Sequence, residues 1–252
     1  MKGQPYFALR QLVTREMKRK YSRSRLGILW SVLSPLLSMA VLSLVFSTMF
    51  RKSIENYPVY YLTGFVIWSF FTAATNTAMT ALADNQALIL QVRLPRSVFP
   101  LSRVVTAFVN FLYSLAAYGV MLLLFRIPVR GSALVFPVLV FFLFLFSLGM
   151  GYILSVLYVF FGDIRHLYGV ALTLWMYLSA LFYPLELLPG TMQAVIWQNP
   201  VYNFIAGARD CILYGRIPPA GVLLRTAVWG AGMYGIGRLV FRRSQSKVIQ
   251  KL

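Results

Sequence analysis

The sequence predicts an all-α polytopic membrane protein, and three observations predict it. Of its 252 residues, 59% are hydrophobic and only 12% charged, a balance that excludes an ordinary soluble domain. Six windows stay apolar for about the ~20 residues a helix needs to cross the hydrocarbon core: 28–50, 60–82, 104–125, 134–161, 167–183 and 222–241. Just ahead of the first, Arg10, Arg15, Lys18, Arg19, Lys20, Arg23 and Arg25 crowd against Gly27, and no charge follows until Arg51. Basic residues beside a span are retained on the cytoplasmic face, so the N-terminus is expected inside. In a soluble protein the formal net charge of +18 would suggest nucleic acid. Here the cations flank apolar spans, where topology needs them.

Leu9, Leu12, Val13, Met17 and Tyr21 gather on one side of a helix, so residues 1–27 are expected to form an amphipathic helix lying along the interface before the chain enters the bilayer. The first apolar window is too long for a signal-peptide core and lacks a cleavage site after it. The second carries Thr72, Thr75, Asn76 and Thr77 and is expected to face protein or water rather than lipid. The fourth exceeds what a span needs, which implies tilt or extension past the headgroups. The last is interrupted by Arg225 and by Gly230, Gly232, Gly235 and Gly237, small residues that let helices approach closely. Six spans return the C-terminus to the inside, where Arg238, Arg242, Arg243, Lys247 and Lys251 follow the last of them. The reading is one transmembrane domain over 1–252: interface helix 1–27, six-helix membrane part 28–241 and basic tail 242–252.

Two connections stand out. The outer one, 184–219, contains the apolar pieces 192–197 and 201–214, too short to span and too apolar for a free loop. They are expected to dip back into the outer half of the membrane as short re-entrant helices. The inner one, 84–103, places Ala87, Leu88, Ile89, Leu90, Gln91 and Val92 in a short helix stopped by Pro95 and Pro100, with Arg93 and Arg96 exposed. An apolar-basic helix held out of the membrane by prolines suits docking to a soluble partner.

Chemistry is sparse. None of the six acidic residues lies near the middle of a predicted span, whereas an ion-coupled carrier binds its ion at membrane depth. Asp163 and the lone His166 sit one turn apart without a nucleophile motif, and no second histidine offers a metal site, so no catalytic and no metal-ligating residues are assigned. Cys211 has no disulfide partner and suits a buried apolar filler. No G-x-x-x-x-G-K-[ST] occurs, so the chain has no phosphate loop of its own. Any hydrolysis that powers it must take place on another chain. Trp30, Phe46, Trp175 and Tyr177 suit span ends or a channel wall, since an aromatic face packs on sugar rings as readily as on apolar neighbours.

The stretch LVTREMKRKYSRSRLGILWSVLSPLL resembles the opening R-x-[KR]-x-[RK]-Y-x-x-S-x-LG-x-LW-x-x-x-x-P-L of the ABC-2 type exporter permeases that carry O-antigen, teichoic acid or capsule. LILQVRLPRSVFPLS is similar to that family's coupling and gate region, and NPVYNFIAGAR to its outer segment. The resemblance implies a homodimer enclosing a channel in the bacterial cytoplasmic membrane above two copies of a cytoplasmic ABC ATPase, which would hold the ATP and Mg2+; this chain would carry no cofactor. It implies ATPase contact through the interface helix and Ala87–Val92, and an outer mouth closed by 192–197 and 201–214. The cargo implied is a polysaccharide on a polyprenyl pyrophosphate, with Arg23, Arg25, Arg93 and Arg96 meeting the pyrophosphate. Two other functions fit the residues: an ABC-2 exporter of a small lipid or drug, and an intramembrane enzyme on lipid-linked sugars resting on Asp163 and His166. A purely structural scaffold is a third possibility.

Overall fold

The structure, a computed structural model, describes residues 4–22, 27, 29–47, 54, 56–91 and 94–251. Among them there is no strand, and ten α-helices follow in order: α1 Gln4–Tyr21, α2 Leu29–Phe46, α3 Tyr57–Met79, α4 Gln86–Gln91, α5 Val98–Leu124, α6 Phe136–Phe160, α7 Ile164–Tyr177, α8 Gly190–Gln198, α9 Pro200–Ala208 and α10 Ala220–Lys251.

The amphipathic reading of the N-terminus holds in α1. Leu12 is buried and Leu9, Val13, Met17 and Tyr21 are half-buried on one face, while Arg10, Arg15, Lys18, Arg19 and Lys20 are exposed. The turn into α2 uses Gly27 at φ +45°, a left-handed conformation that a side chain would strain. Helix α3 is the centre of the bundle. Val59, Phe71, Ala74, Thr75 and Ala78 are fully buried there, and α2, α5, α6, α7 and α9 all pack on it. Of its threonines Thr63 and Thr75 are buried, Thr72 half-buried and Thr77 exposed, and each hydroxyl returns a hydrogen bond to the preceding turn, as Thr75 does to Phe71 O at 2.8 Å. Tyr168 of α7 adds a bond to the same Thr75 Oγ1 at 2.7 Å.

Helices α6 and α10 run together, and glycine brings them to backbone contact. A Cβ on Gly237 would lie 2.2 Å from Gly149 O, and one on Gly230 would lie 2.6 Å from Phe142 O. Gly232 and Gly235 meet nothing within 4 Å, so half of the glycine pattern serves the contact and half does not.

Three helical stretches are long and apolar enough to cross a membrane: Leu29–Phe46, Val98–Leu124 and Gly131–Phe160. A fourth is Tyr57–Met79 with Ala83–Gln91, bent by 53° at the break. The window expected at 167–183 differs from the outcome: α7 is a 14-residue helix that stops at Tyr177. Ser179 then returns its hydroxyl to Trp175 O at 2.7 Å, and Ala180, at φ +44°, turns the chain aside. Expected short helices appear as α4, α8 and α9, the last continued by a π turn Arg209–Leu213 closed by Tyr214 N to Arg209 O at 2.9 Å.

Candidate functional site

Three features have functional geometry: a clasp of charges beside α4, a groove between α1, α2, α3 and α5, and an arginine-pinned cap beneath α8 and α9.

The clasp forms because α1 turns an acid inward. Glu16, 5% exposed, takes Arg103 of α5 on one carboxylate oxygen and Arg15, at 3.0 Å, on the other. Arg103 also reaches Asp84 at 2.9 Å, and Arg15 bonds Asn85 Oδ1. Asp84 and Asn85 lie in the 3-10 turn Ala83–Asn85 that leads directly into α4. Helices α1, α4 and α5 are therefore tied to one another through the Glu16–Arg103 pair, which is largely out of water, and through the exposed Arg15 and Asp84 on either side of it. Beyond the clasp, Leu88 and Ile89 pack against the core, whereas Ala87, Leu90 and Gln91 are exposed, Leu90 at 59%. Val92 of the expected docking helix lies outside the described residues.

The groove starts at the clasp. A cavity of about 420 Å³ is lined by Glu16, Arg19, Lys20 and Arg103 together with Thr77 and Asn110. A second, of about 410 Å³, continues from it past Trp30, Ser31, Ser34, Phe65, Ser69 and Ser114. Between them Tyr21 closes a polar knot: its hydroxyl donates to Asn110 Oδ1 and shares a 2.6 Å bond with Ser31 Oγ. Ser114 donates to Ser31 O at 2.9 Å. The knot fixes the end of α1, the start of α2 and the middle of α5 in one geometry.

At the opposite end of α3, Arg209 is 4% exposed and has no carboxylate partner among the described residues. Its guanidinium lies 3.5 Å from the Tyr60 ring centroid. It donates to Tyr60 Oη at 2.8 Å and to the carbonyls of Ala180 and Leu181 at 3.0 and 3.1 Å. Tyr60 in turn donates to Tyr183 O at 3.0 Å. Asp210 beside it pairs with Arg216 at 2.6 Å. The π turn thus holds the strained bend after α7 against the start of α3. Asn199 completes the cap. Its Oδ1 accepts from Val201 N and Tyr202 N at the start of α9 and from Trp175 Nε1, and its Nδ2 donates to Leu178 O and Ser179 Oγ.

The structure separates the aromatics read from the sequence. Trp30 lines the groove and is 47% exposed. Phe46 lies 6.2 Å from both the Tyr57 and Phe182 rings, and Tyr177 lies 5.8 Å from Phe182, so these two share a cluster at the other end of the bundle. Trp175 is half-buried, edge-on to Phe71 at 5.2 Å and hydrogen-bonded to Asn199 at 2.8 Å, a packing position. Arg23, Arg25 and Arg93 lie outside the described residues. Arg96 is half-buried in the turn that opens α5 and forms no ion pair with the acids of the clasp. Asp163 and His166 share only a backbone bond of 3.0 Å, with both side chains exposed. Among the described residues no three metal-ligating side chains come together.

Sequence reasoning missed Glu16, Arg103 and Arg209. Glu16 is the only acid within a basic, amphipathic segment and falls on its apolar face, four residues from Leu12, which was a readable signal. Arg209 and Asp210 interrupt an otherwise apolar run, which was another.

Residues 8–213 match the model of a family described as ABC-2 type transporter, which spans the clasp, the groove and the arginine-pinned cap. The chain belongs to the ABC-2 type transporter family. Members are transport permeases rather than enzymes, and the ATPase is a separate subunit. The O-antigen export system permease protein RfbA of Myxococcus xanthus is 32% identical over 218 residues, 86% of this chain and 84% of that one. A Klebsiella pneumoniae protein of the same name is 28% identical over 207 residues, 82% of this chain and 80% of its own. The polysialic acid transport protein KpsM of Escherichia coli is 22% identical over 251 residues, covering 94% and 93%.

Proposed function

We propose that this ABC-2 permease exports a polysaccharide of the O-antigen, teichoic acid or capsule type, linked to a polyprenyl pyrophosphate, across the bacterial cytoplasmic membrane. The observation that carries this reading is the 32% identity, over 86% of the chain, to a protein named as an O-antigen export permease. The groove supports it, because hydroxyls interleaved with aromatic faces suit a sugar chain better than an apolar drug.

The working unit is a homodimer with two ATPase subunits that hold ATP and Mg2+, the termini facing the cytoplasm. Two helices leave apolar faces that a second copy would cover. Only 11% of α2 is buried, with Leu29, Leu37, Val41 and Leu44 exposed. On α7, Leu167, Val170 and Leu174 are exposed. Ala87, Leu90 and Gln91 of α4 present the ATPase with its contact, and the clasp passes displacement of α4 to α1 and α5. ATP binding shifts the dimer only if the ATPase contacts two arrangements of these helices with different affinity. Arg23, Arg25, Arg93 and Arg96 meet the pyrophosphate at headgroup depth. Trp30, Phe46, Trp175 and Tyr177 are the aromatics proposed for the sugar path: Trp30 faces the groove, Phe46 and Tyr177 border the opposite end, and Trp175 holds the cap that closes it.

The test is Leu90→Asp in the complex co-expressed with its ATPase. A buried, unpaired carboxylate at the docking face costs several kcal/mol. Permease-stimulated ATP turnover and surface polysaccharide should both be lost, while the chain remains in the membrane. Normal turnover and normal polymer would overturn the docking assignment, and normal turnover with a different exported molecule would overturn the cargo.

A further inference from the structure

At the cap end of the bundle an open pocket of about 530 Å³ lies between α8 and the start of α10. Ala194, Trp197 and Gln198 line one side of it and Gly221, Val222 and Arg225 the other, and none of the lining residues is acidic. Arg225 is exposed and has no carboxylate partner among the described residues; its guanidinium lies 5.6 Å from the centroid of the Trp197 ring. The indole is fixed from behind. Trp197 meets the Tyr202 ring edge-on at 5.1 Å, and its carbonyl accepts from Asn203 Nδ2 at 3.0 Å.

The depth of this pair in the membrane follows from the register of α6 and α10. The close approaches of Gly230 to Phe142 and of Gly237 to Gly149 keep one offset along two parallel helices, which puts Arg225 level with Pro137 in the first turn of α6. The apolar stretch Gly131–Phe160 has 30 residues, about 45 Å of helix against a hydrocarbon core of about 30 Å. Its ends project past the core, and Pro137 stands near the boundary with the headgroups. Around the cation the surface is apolar: Leu224 and Val228 of α10 and Met192 and Val195 of α8 are exposed. A cation in such a surface ordinarily pairs with a carboxylate or a backbone carbonyl. Arg225 does neither among the described residues, and the acceptor available to it at that depth is lipid phosphate.

From this we infer that Arg225 and Trp197 form a binding site for the phosphodiester of an anionic phospholipid, in the leaflet at the cap end. The guanidinium takes two phosphate oxygens in its planar fork while one face stays on the indole. With no carboxylate in the pocket to receive an ethanolamine or choline cation, a headgroup of net negative charge such as phosphatidylglycerol is preferred. Trp197 belongs to α8 and Arg225 to α10, so a lipid bound there braces the cap against the last helix. The site is independent of what the permease exports.

The test uses the complex with its ATPase, delipidated in detergent, with bound lipid counted by native mass spectrometry. The probes are phosphatidylglycerol, phosphatidylethanolamine and phosphatidylcholine of equal chain length, decaprenyl phosphate and soluble glycerol phosphate. Phosphatidylglycerol should bind more tightly than either zwitterionic lipid. Arg225→Gln should weaken it by roughly ten-fold or more and abolish the preference, and Arg225→Lys should keep the preference at lower affinity. Arg225 is exposed, retained assembly with the ATPase confirms that its variants fold, and the comparison of lipids on the unaltered complex needs no variant. Equal binding of the zwitterionic lipids overturns the inference, as does unchanged phosphatidylglycerol binding in Arg225→Gln. Equal or tighter binding of decaprenyl phosphate marks a prenyl-carrier site, displacement by glycerol phosphate marks a free-anion site, and either also overturns it. Amide exchange over 190–198 should slow when phosphatidylglycerol is added to the unaltered complex and not when it is added to Arg225→Gln; exchange that ignores the lipid overturns the brace.

Discussion

Replacing Arg103 by Met removes the charge at the centre of the clasp while keeping the length of the stem. The Glu16 side chain is 5% exposed and that of Arg103 12%, so the pair is effectively out of water. Breaking such a pair from one side costs about 3–5 kcal/mol, most of it the stranded partner charge. Glu16 still has Arg15 at 3.0 Å, but that side chain is 47% exposed and compensates only in part, which places the loss at the lower end, about 3 kcal/mol. Glu16→Leu strands less, because Arg103 keeps Asp84 at 2.9 Å, and about 1–2 kcal/mol is expected. The double variant buries no unpaired charge and should recover most of the loss. The coupling energy between the two positions is then about 2–3 kcal/mol. Reversible denaturant unfolding in mixed micelles measures all four proteins of the cycle. If the two single effects simply add to within about 0.5 kcal/mol, Glu16 and Arg103 do not act on one another and the clasp has no energetic reality.

Gly237→Ala should destabilise the α6–α10 pair by about 1–3 kcal/mol, because its Cβ would stand 2.2 Å from a backbone oxygen that cannot rotate away. Gly232→Ala, where a Cβ meets nothing within 4 Å, should instead stabilise by about 0.5–1 kcal/mol, and the same unfolding measurement separates the two. Alanine at Arg23, Arg25, Arg93 and Arg96 together should reduce surface polysaccharide while the complex still assembles with its ATPase, as read by co-purification; unchanged polymer would remove these arginines from pyrophosphate recognition.

Legibility differed from one part of the site to another. The α4 helix was readable because Pro95 and Pro100 stop it within a few residues and its apolar run is too short for anything else. The apolar face of α1 was readable from a period of 3.6. The clasp was not, because its four charged groups come from positions 15, 16, 84 and 103, and no local pattern reports which distant charges meet. The same holds for Arg209, whose partners Tyr60, Ala180 and Leu181 lie 28 to 149 residues away in sequence. The end of α7 went unread because apolar residues continue past Tyr177, and what stops the helix is a side-chain bond at Ser179 and the left-handed turn at Ala180.

The sequence by itself determined that this chain is helical, lies in a membrane and depends on an ATPase elsewhere. The first two follow from composition, hydrophobic period and cation placement, and the ATPase from the family resemblance carried by LVTREMKRKYSRSRLGILWSVLSPLL, all of which are local or summed quantities. Only the tertiary structure decided that α3 is the buried axis, which glycines carry the α6–α10 contact, and that cations from α1 and α5 open into a hydroxyl-lined groove. Such features depend on which faces of separate helices meet, and packing settles that between residues that the chain alone keeps far apart.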